Sequence, residues 1–522
     1  MLTNIFDTPQ KYLDIIRSST CIKEENQKRH NGKSMVVVHP TRHCKVGCTH
    51  CIFYSQPKRG VSADIKDEMS WTGCNHTIQF INAANVEYLL IAGGGEPFEK
   101  EEVVCHMVEH CFANRIVIAT NGFWGKTKAV KVLIRLQEIL ERRNDDVTLV
   151  LRLSLDEWHT DRIGNGAIVN IIKAFDEFGK HPHLKLELHT IENDKSIDVL
   201  QKVFPNSQKQ DDFIQVVSDN NTVLKNSKKR GVLTLASGLE IPIGYAKLFY
   251  PNLLIDLNRS DEDLRHIMKP FYEDVLVNQK GNYCTIHNSD GTVGLDYLIN
   301  FNGNITTWGN YQLDSVSNIY IDSYDAVQRN LYNDIVSYAF IDKDHEFRES
   351  IVEEVNLHAV RRASGVNIRD YSGALLLQEH HTCLYFAVRM IQHYLSEGIL
   401  DQSILDKLPF ELSAVICADQ NNVLNIYQKS NYSIIQQYME SNCTENDWRD
   451  LYRLINLNHY RVTEEQKKQG LKFFNDKFGT TYTHPHELIS DMDAKGIISR
   501  LMDRMNLQQS KVEELYQNPV IT

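Results

Sequence analysis

Apolar positions along the chain follow two rhythms. Short β-branched or leucine-rich runs alternate with longer stretches in which apolar residues recur every three or four positions. The runs at 36–38, 88–92, 115–120, 147–155 and 184–189 predict strands. The stretches at 70–84, 100–111, 126–142 and 167–177 predict helices. In the third helix Val130, Leu133, Leu136 and Leu140 are expected on one apolar face. Strands that alternate with helices pair in parallel through right-handed crossovers. In such sheets functional groups collect beyond the carboxyl ends of the strands.

Other stretches fill out the architecture. Residues 1–33 read as a helical lead-in, with Tyr12, Ile15 and Ile16 at packing positions. Residues 205–230 read as polar and irregular, with Lys228-Lys229-Arg230 as a solvated loop. Asn302-Gly303 between two alternating runs predicts a hairpin within 291–310. Helical composition then dominates, at 353–363, 374–397, 423–441, 464–478 and 487–507. The expected divisions are 1–33, an α/β core at 34–250, a hairpin-containing region at 251–340 and a mostly helical part at 341–522.

Of the 522 residues, 42% are hydrophobic and 24% charged, an ordinary globular balance. A net charge of −12 without a long basic block argues against a nucleic-acid surface. No apolar run is long enough to span a membrane, so no membrane partner is expected. Residues 1–7 lack a basic stretch followed by an apolar one, so no secretory signal is expected. Eleven cysteines in such a chain point to a reducing cytoplasm. The isolated ones (Cys21, Cys74, Cys105, Cys111, Cys284, Cys383, Cys417 and Cys443) read mainly as small buried hydrophobes.

Three cysteines are different. Cys44, Cys48 and Cys51 stand at C-x3-C-x2-C just after the first strand. Chance would produce this spacing roughly 0.005 times in a chain of this composition. Three thiolates in one loop suit three irons of a cubane cluster and leave the fourth iron open. They also suit zinc, with His43 or His50 as fourth ligand, in a zinc-stabilised binding protein.

The same loop resembles the cluster loop of the radical S-adenosylmethionine superfamily, with His50 where an aromatic residue is common. Gly94-Gly95-Glu96 after the second strand is similar to that family's glycine-glycine-glutamate motif. Thr120-Asn121-Gly122 after the third strand, and Ser154 and Asp156 after the fourth, fall in the family's order. The resemblance implies a partial (β/α)6 barrel holding one 4Fe-4S cluster on Cys44, Cys48 and Cys51. It implies S-adenosylmethionine on the open iron, with its amino group at Gly94, Gly95 and Glu96. Its ribose or carboxylate would lie near Ser154 and Asp156, with Asn121 and His50 close by. Reductive cleavage would give a 5′-deoxyadenosyl radical that takes hydrogen from a peptide or small metabolite. A reductant such as a flavodoxin or ferredoxin would supply the electron. The hairpin resembles a degenerate auxiliary-cluster domain. A non-catalytic member acting through its helical part is the alternative within the family.

Further candidates are weaker. Glu157 and His159 could face substrate, although His159 reads first as a satisfied histidine. His189 ends the fifth strand, and Gly244-Tyr245-Ala246-Lys247 loosely resembles a segment near the cofactor's adenine. Cys284 could be a hydrogen-atom donor. His380-His381 and His484-x-His486 lack ligand companions and read as surface or capping residues.

Overall fold

A computed structural model describes residues 4–27, 30–46, 48, 68–191, 194–214, 228–246, 285–287, 291–307, 315–344, 347–355, 380–430, and 433, 468–472, 475–476, 481 and 483. Among the described residues twelve strands form one mixed sheet. In chain order they are β1 (Ser34–His39), β2 (Val86–Ile91), β3 (Ala113–Thr120), β4 (Thr148–Ser154), β5 (Leu184–Ile191), β6 (Gln208–Ile214), β7 (Lys228–Thr234), β8 (Glu240–Ala246), β9 (Thr285–His287), β10 (Val293–Asn300), β11 (Asn304–Thr307) and β12 (Ser317–Asn318). The spatial order is β12-β11-β10-β1-β2-β3-β4-β5-β8-β7-β6, with β9 against β10. The central run from β10 to β8 is parallel throughout.

The predicted β/α alternation is present. Helix Trp71–Ala83 starts where Ser70 Oγ accepts the Gly73 amide at 3.0 Å. Helices Glu101–His110, Ala129–Arg142 and Gly166–Phe178 follow β2, β3 and β4. An additional helix, Glu157–Ile163, precedes the last of these. In Ala129–Arg142 the buried stripe is Ala129, Val132, Leu133, Leu136, Ile139 and Leu140. Val130 lies outside it and is 39% exposed, because one residue turns a helix by about 100°.

Two regions depart from the sequence reading. Residues 208–214 and 228–234 are not irregular: β6 and β7 pair antiparallel and extend β8. Lys228-Lys229-Arg230 therefore opens a strand rather than a loop. Ladder bonding supplies this order through the backbone, and a polar side-chain pattern does not reveal it. The hairpin at Gly303 forms as expected, with β10 antiparallel to β11. Yet β10 also runs parallel to β1, from Met35 against Asp296 to His39 against Asn300. The hairpin is thus part of the core sheet.

Strand alternation separates two faces. Val36, Val38, Leu89, Ile91, Ile116, Ile118, Leu149, Leu151, Leu186 and Leu188 face the helices and form the main core. Tyr297 joins them, fully buried, with its ring edge-on to Phe80 at 5.4 Å. The opposite face holds a small apolar patch, Val37 and Leu298 with Met35, Leu90 and Ala92.

The lead-in helix Pro9–Ser19 packs on the helical part near the far end of the chain, against His380–Ser396. Phe6 meets the rings of Tyr385 and Tyr427, and the Tyr12 hydroxyl donates to Glu411 at 3.0 Å. His381 is buried in that later helix, not at the surface, and burial first, then neighbouring His380, lowers its pKa to about 3. Cys74, Cys105, Cys111 and Cys383 are buried, whereas Cys21 and Cys417 are exposed. Cys284, Cys443, His484 and His486 lie outside the described residues. Among the described residues no helix is long and apolar enough to cross a membrane.

Replacing Tyr297 by Ala empties a fully buried site where the hairpin meets the core. Urea unfolding should show a loss of about 3–5 kcal/mol. Val130→Ala, on the outer helix face, should change stability by less than about 0.5 kcal/mol.

Candidate active site

The cysteine loop leaves β1 and is shaped at once by the loop that follows β2. The Glu96 amide donates to the His43 carbonyl at 2.8 Å. Gly94 has φ +77°, and a side chain there would meet the Thr41 carbonyl at 2.6 Å. A Cβ on Gly95 would lie 2.0 Å from the His43 carbonyl oxygen. Only glycine permits both the backbone conformation and the close approach. These glycines therefore seat the start of the cysteine loop, a role the sequence reading did not assign to them.

Glu96 is buried, and among the described residues its carboxylate is held by hydrogen-bond donors rather than by a cation. Oε1 accepts the Thr120 hydroxyl at 2.5 Å and the Phe98 amide at 3.2 Å. Oε2 accepts the Asn121 amide at 2.8 Å. A carboxylate offers about four acceptor positions, so Oε2 retains capacity for one further donor. Burial pushes the Glu96 pKa up to about 7, and the three hydrogen bonds offset only part of that rise. A cationic group arriving at Oε2 would favour the ionised form.

Thr120 binds this network together. Its hydroxyl donates to Glu96 and accepts from the Gly122 amide and from Trp124 Nε1, both at 3.0 Å. Trp124 lies 4.9 Å from the Phe98 ring, beyond the ends of β2 and β3. The sequence placed Thr120 only through the resemblance of Thr120-Asn121-Gly122 to the family's order, and gave Trp124 no role. The available signal was a hydroxyl and an indole four residues apart at the carboxyl end of a buried strand.

Asn121 connects the network to the cysteines. Its Oδ1 accepts the Phe123 amide at 2.9 Å, which turns Nδ2 toward Cys44 Sγ at 3.4 Å. Cys44 is buried, and Cys48 and Phe123 pack in the same small cluster with Val46 and Ile163. The structure thus brings together Cys44, Cys48, Asn121 and, through Asn121, Glu96. Cys51 and His50 lie outside the described residues. His43 Nε2 points to Glu68 Oε1, 4.0 Å away. Among the described residues no three of His, Cys, Asp and Glu form a metal-sized group, so His43 does not complete one with Cys44 and Cys48.

Asp156 has a local structural task. Its Oδ1 caps helix Glu157–Ile163 by accepting the His159 amide at 3.0 Å. Its Oδ2 pairs with His159 Nδ1 at 2.7 Å. Glu157 presents its amide to Asp194 Oδ2 at 2.8 Å. Ser154 and His189 are register partners on the face opposite the main core. A Cβ on Gly244 would lie 3.0 Å from the His189 ring, so that ring covers the neighbouring strand.

The raised pKa of Glu96 predicts a pH dependence. Its folded value of about 7 exceeds the ordinary 4.5, so the folded chain keeps a proton that the unfolded chain has lost. That contribution to stability is whole below pH 4.5 and disappears as pH rises through 7. The loss is at most on the order of 3 kcal/mol. Urea unfolding at a series of pH values should show this slope in the native chain and a flatter one in Glu96→Gln. Equal slopes would contradict the assignment.

No family model matches the chain, and no curated protein matches it in sequence. Two solved structures are similar to it, described as native anSMEcpe with bound AdoMet and a polyhistidine-tagged anSMEcpe with bound AdoMet. They are 12% and 13% identical to it, cover 69% and 72% of it and 99% and 98% of their own chains, each with a TM-score of 0.31. A likeness of that size identifies neither a cofactor nor a substrate of this chain.

Proposed function

We propose that this chain is a radical S-adenosylmethionine enzyme acting on a peptide or a small metabolite. The observation that carries the reading is the Asn121 amide. It donates to Cys44 Sγ while its own backbone N–H is held by buried Glu96. One residue thereby ties the first cysteine of C-x3-C-x2-C to a buried carboxylate with acceptor capacity left.

The residues fit the implied groups. Cys44 and Cys48 lie in one apolar cluster, and Cys51 follows in the same loop. A thiolate that accepts an amide N–H suits a cluster sulfur, whose potential depends on such bonds. When bound, a 4Fe-4S cluster and S-adenosylmethionine would together supply a carbon radical able to take hydrogen from an unactivated carbon.

The remaining work belongs to the chain. Gly94 and Gly95 set the position of the cysteine loop. Glu96 offers Oε2 to the cofactor's ammonium, and such a cation would favour its ionised form. Asn121 orients and polarises Cys44. Phe123, Val46 and Ile163 pack with Cys44 and Cys48, and limiting water there would protect a reactive radical from solvent. An external one-electron donor such as a flavodoxin or ferredoxin, and a cytoplasmic setting, belong to the same proposal.

Protein purified without oxygen should carry iron and acid-labile sulfide. With reductant and S-adenosylmethionine it should release 5′-deoxyadenosine, and Cys48→Ala should abolish all three signals. Zinc without sulfide, and no cleavage, would overturn the proposal in favour of a structural metal clip. Asn121→Ala should retain iron but lower the reduction potential, because a donor to sulfur favours the more negative reduced form. An electron paramagnetic resonance titration would read the shift.

A further inference from the structure

The face of the sheet opposite the main core carries a charged layer. Tyr88 on β2 is the register partner of Arg115 on β3, and Arg152 on β4 is the partner of Glu187 on β5. Alternation along the strands puts all four on one face, and Val117, Ala119 and Val150 lie between the two arginines on it. Long side chains can therefore meet above short ones. Arg152 Nε donates to Glu187 Oε1 at 3.0 Å, and its Nη2 reaches Glu187 Oε2 and the Tyr88 hydroxyl, both at 3.4 Å. Arg115 Nη2 stands 3.6 Å from Glu187 Oε2, and its guanidinium lies 6.0 Å over the Tyr88 ring.

Two guanidiniums share one carboxylate, so the layer holds one positive charge in excess. Its distribution is uneven. The Glu187 side chain is 14% exposed and that of Arg152 22%, whereas that of Arg115 is 47% exposed. Glu187 is already engaged by Arg152 through two nitrogens. Among the described residues Arg115 makes one longer ion pair, which leaves most of its five donors for another acceptor. Lys185, exposed on the same face of β5, adds to the positive potential.

We propose that this face binds the carboxylate of a small molecule, with Arg115 as the principal contact and Arg152 as its neighbour. A planar guanidinium matches a carboxylate in two parallel hydrogen bonds. A monoanion brings one negative charge beside Glu187, whereas a phosphate dianion brings two. The layer lies two residues before Ser154 on β4 and six before Asn121 in the loop after β3. A molecule anchored here would extend toward those strand ends. Its meaning as a substrate anchor rests on the function proposed above; its existence as a carboxylate site does not.

Calorimetric titration of the purified full-length chain with hexanoate, hexanamide and inorganic phosphate tests the site. Hexanoate should bind, and the neutral amide and phosphate should each bind roughly tenfold more weakly or worse. Arg115→Met should weaken hexanoate by a similar factor, Arg115→Lys by less, and Lys131→Met on the outer helix not at all. The exposure of Arg115 makes its replacement compatible with folding, which a melting curve checks. The proposal fails if the amide or phosphate binds as well as hexanoate, or if Arg115→Met leaves binding unchanged. It fails too if no hexanoate binding is detected at concentrations on the order of 10 mM. Neither reductant nor S-adenosylmethionine is present, so failure here leaves the radical chemistry untouched, and a chain without that chemistry can still pass.

Discussion

A buried carboxylate without a cation must be held by hydrogen bonds, and much of the site follows from that requirement at Glu96. Its donors are the Phe98 amide, the Thr120 hydroxyl and the Asn121 amide. They come from the loops beyond two neighbouring parallel strands, so the carboxylate fixes those strand ends against each other. Asn121 is thereby placed with its side chain on Cys44. The Glu96 backbone reaches the other way and holds His43, next to the same cysteine. One residue thus organises the cysteine loop from both sides. The cost is a carboxyl group whose pKa burial raises to about 7.

The two faces of the sheet divide the work. Helices cover one face through an aliphatic core, which fixes the positions of the strands. The other face can then carry polar groups at no expense to that core. On it the Tyr88–Arg115–Arg152–Glu187 layer lies below the loops that bear the cysteines, Glu96 and Asn121. The lead-in helix and the later helices add packed aromatic rings, Phe6, Tyr385 and Tyr427, from distant parts of the chain to the same apolar core.

Much of this was legible because it is local. β-Branched runs and helical spacing located β1 to β5 and the helices between them, and Asn302-Gly303 located its hairpin. Other features were hidden because their causes are not local. β6 and β7 are polar runs that become strands by adding to an existing edge. Val130 sits one position off the buried stripe, a rotation that becomes visible only when the neighbouring helix defines which side is inside. The helix cap that Asp156 makes and its contact with the His159 ring were likewise not read from the sequence.

By itself the sequence determined the α/β alternation, the cysteine spacing and the placing of notable residues at strand ends. Each depends on residues near one another in the chain. Tertiary structure alone decided that β10 pairs with β1, that Gly95 presses on His43, that Asn121 serves Cys44, and that two arginines share Glu187. Strand order and side-chain reach settle these. Both arise when segments far apart in sequence compete for the same backbone hydrogen bonds and the same buried space.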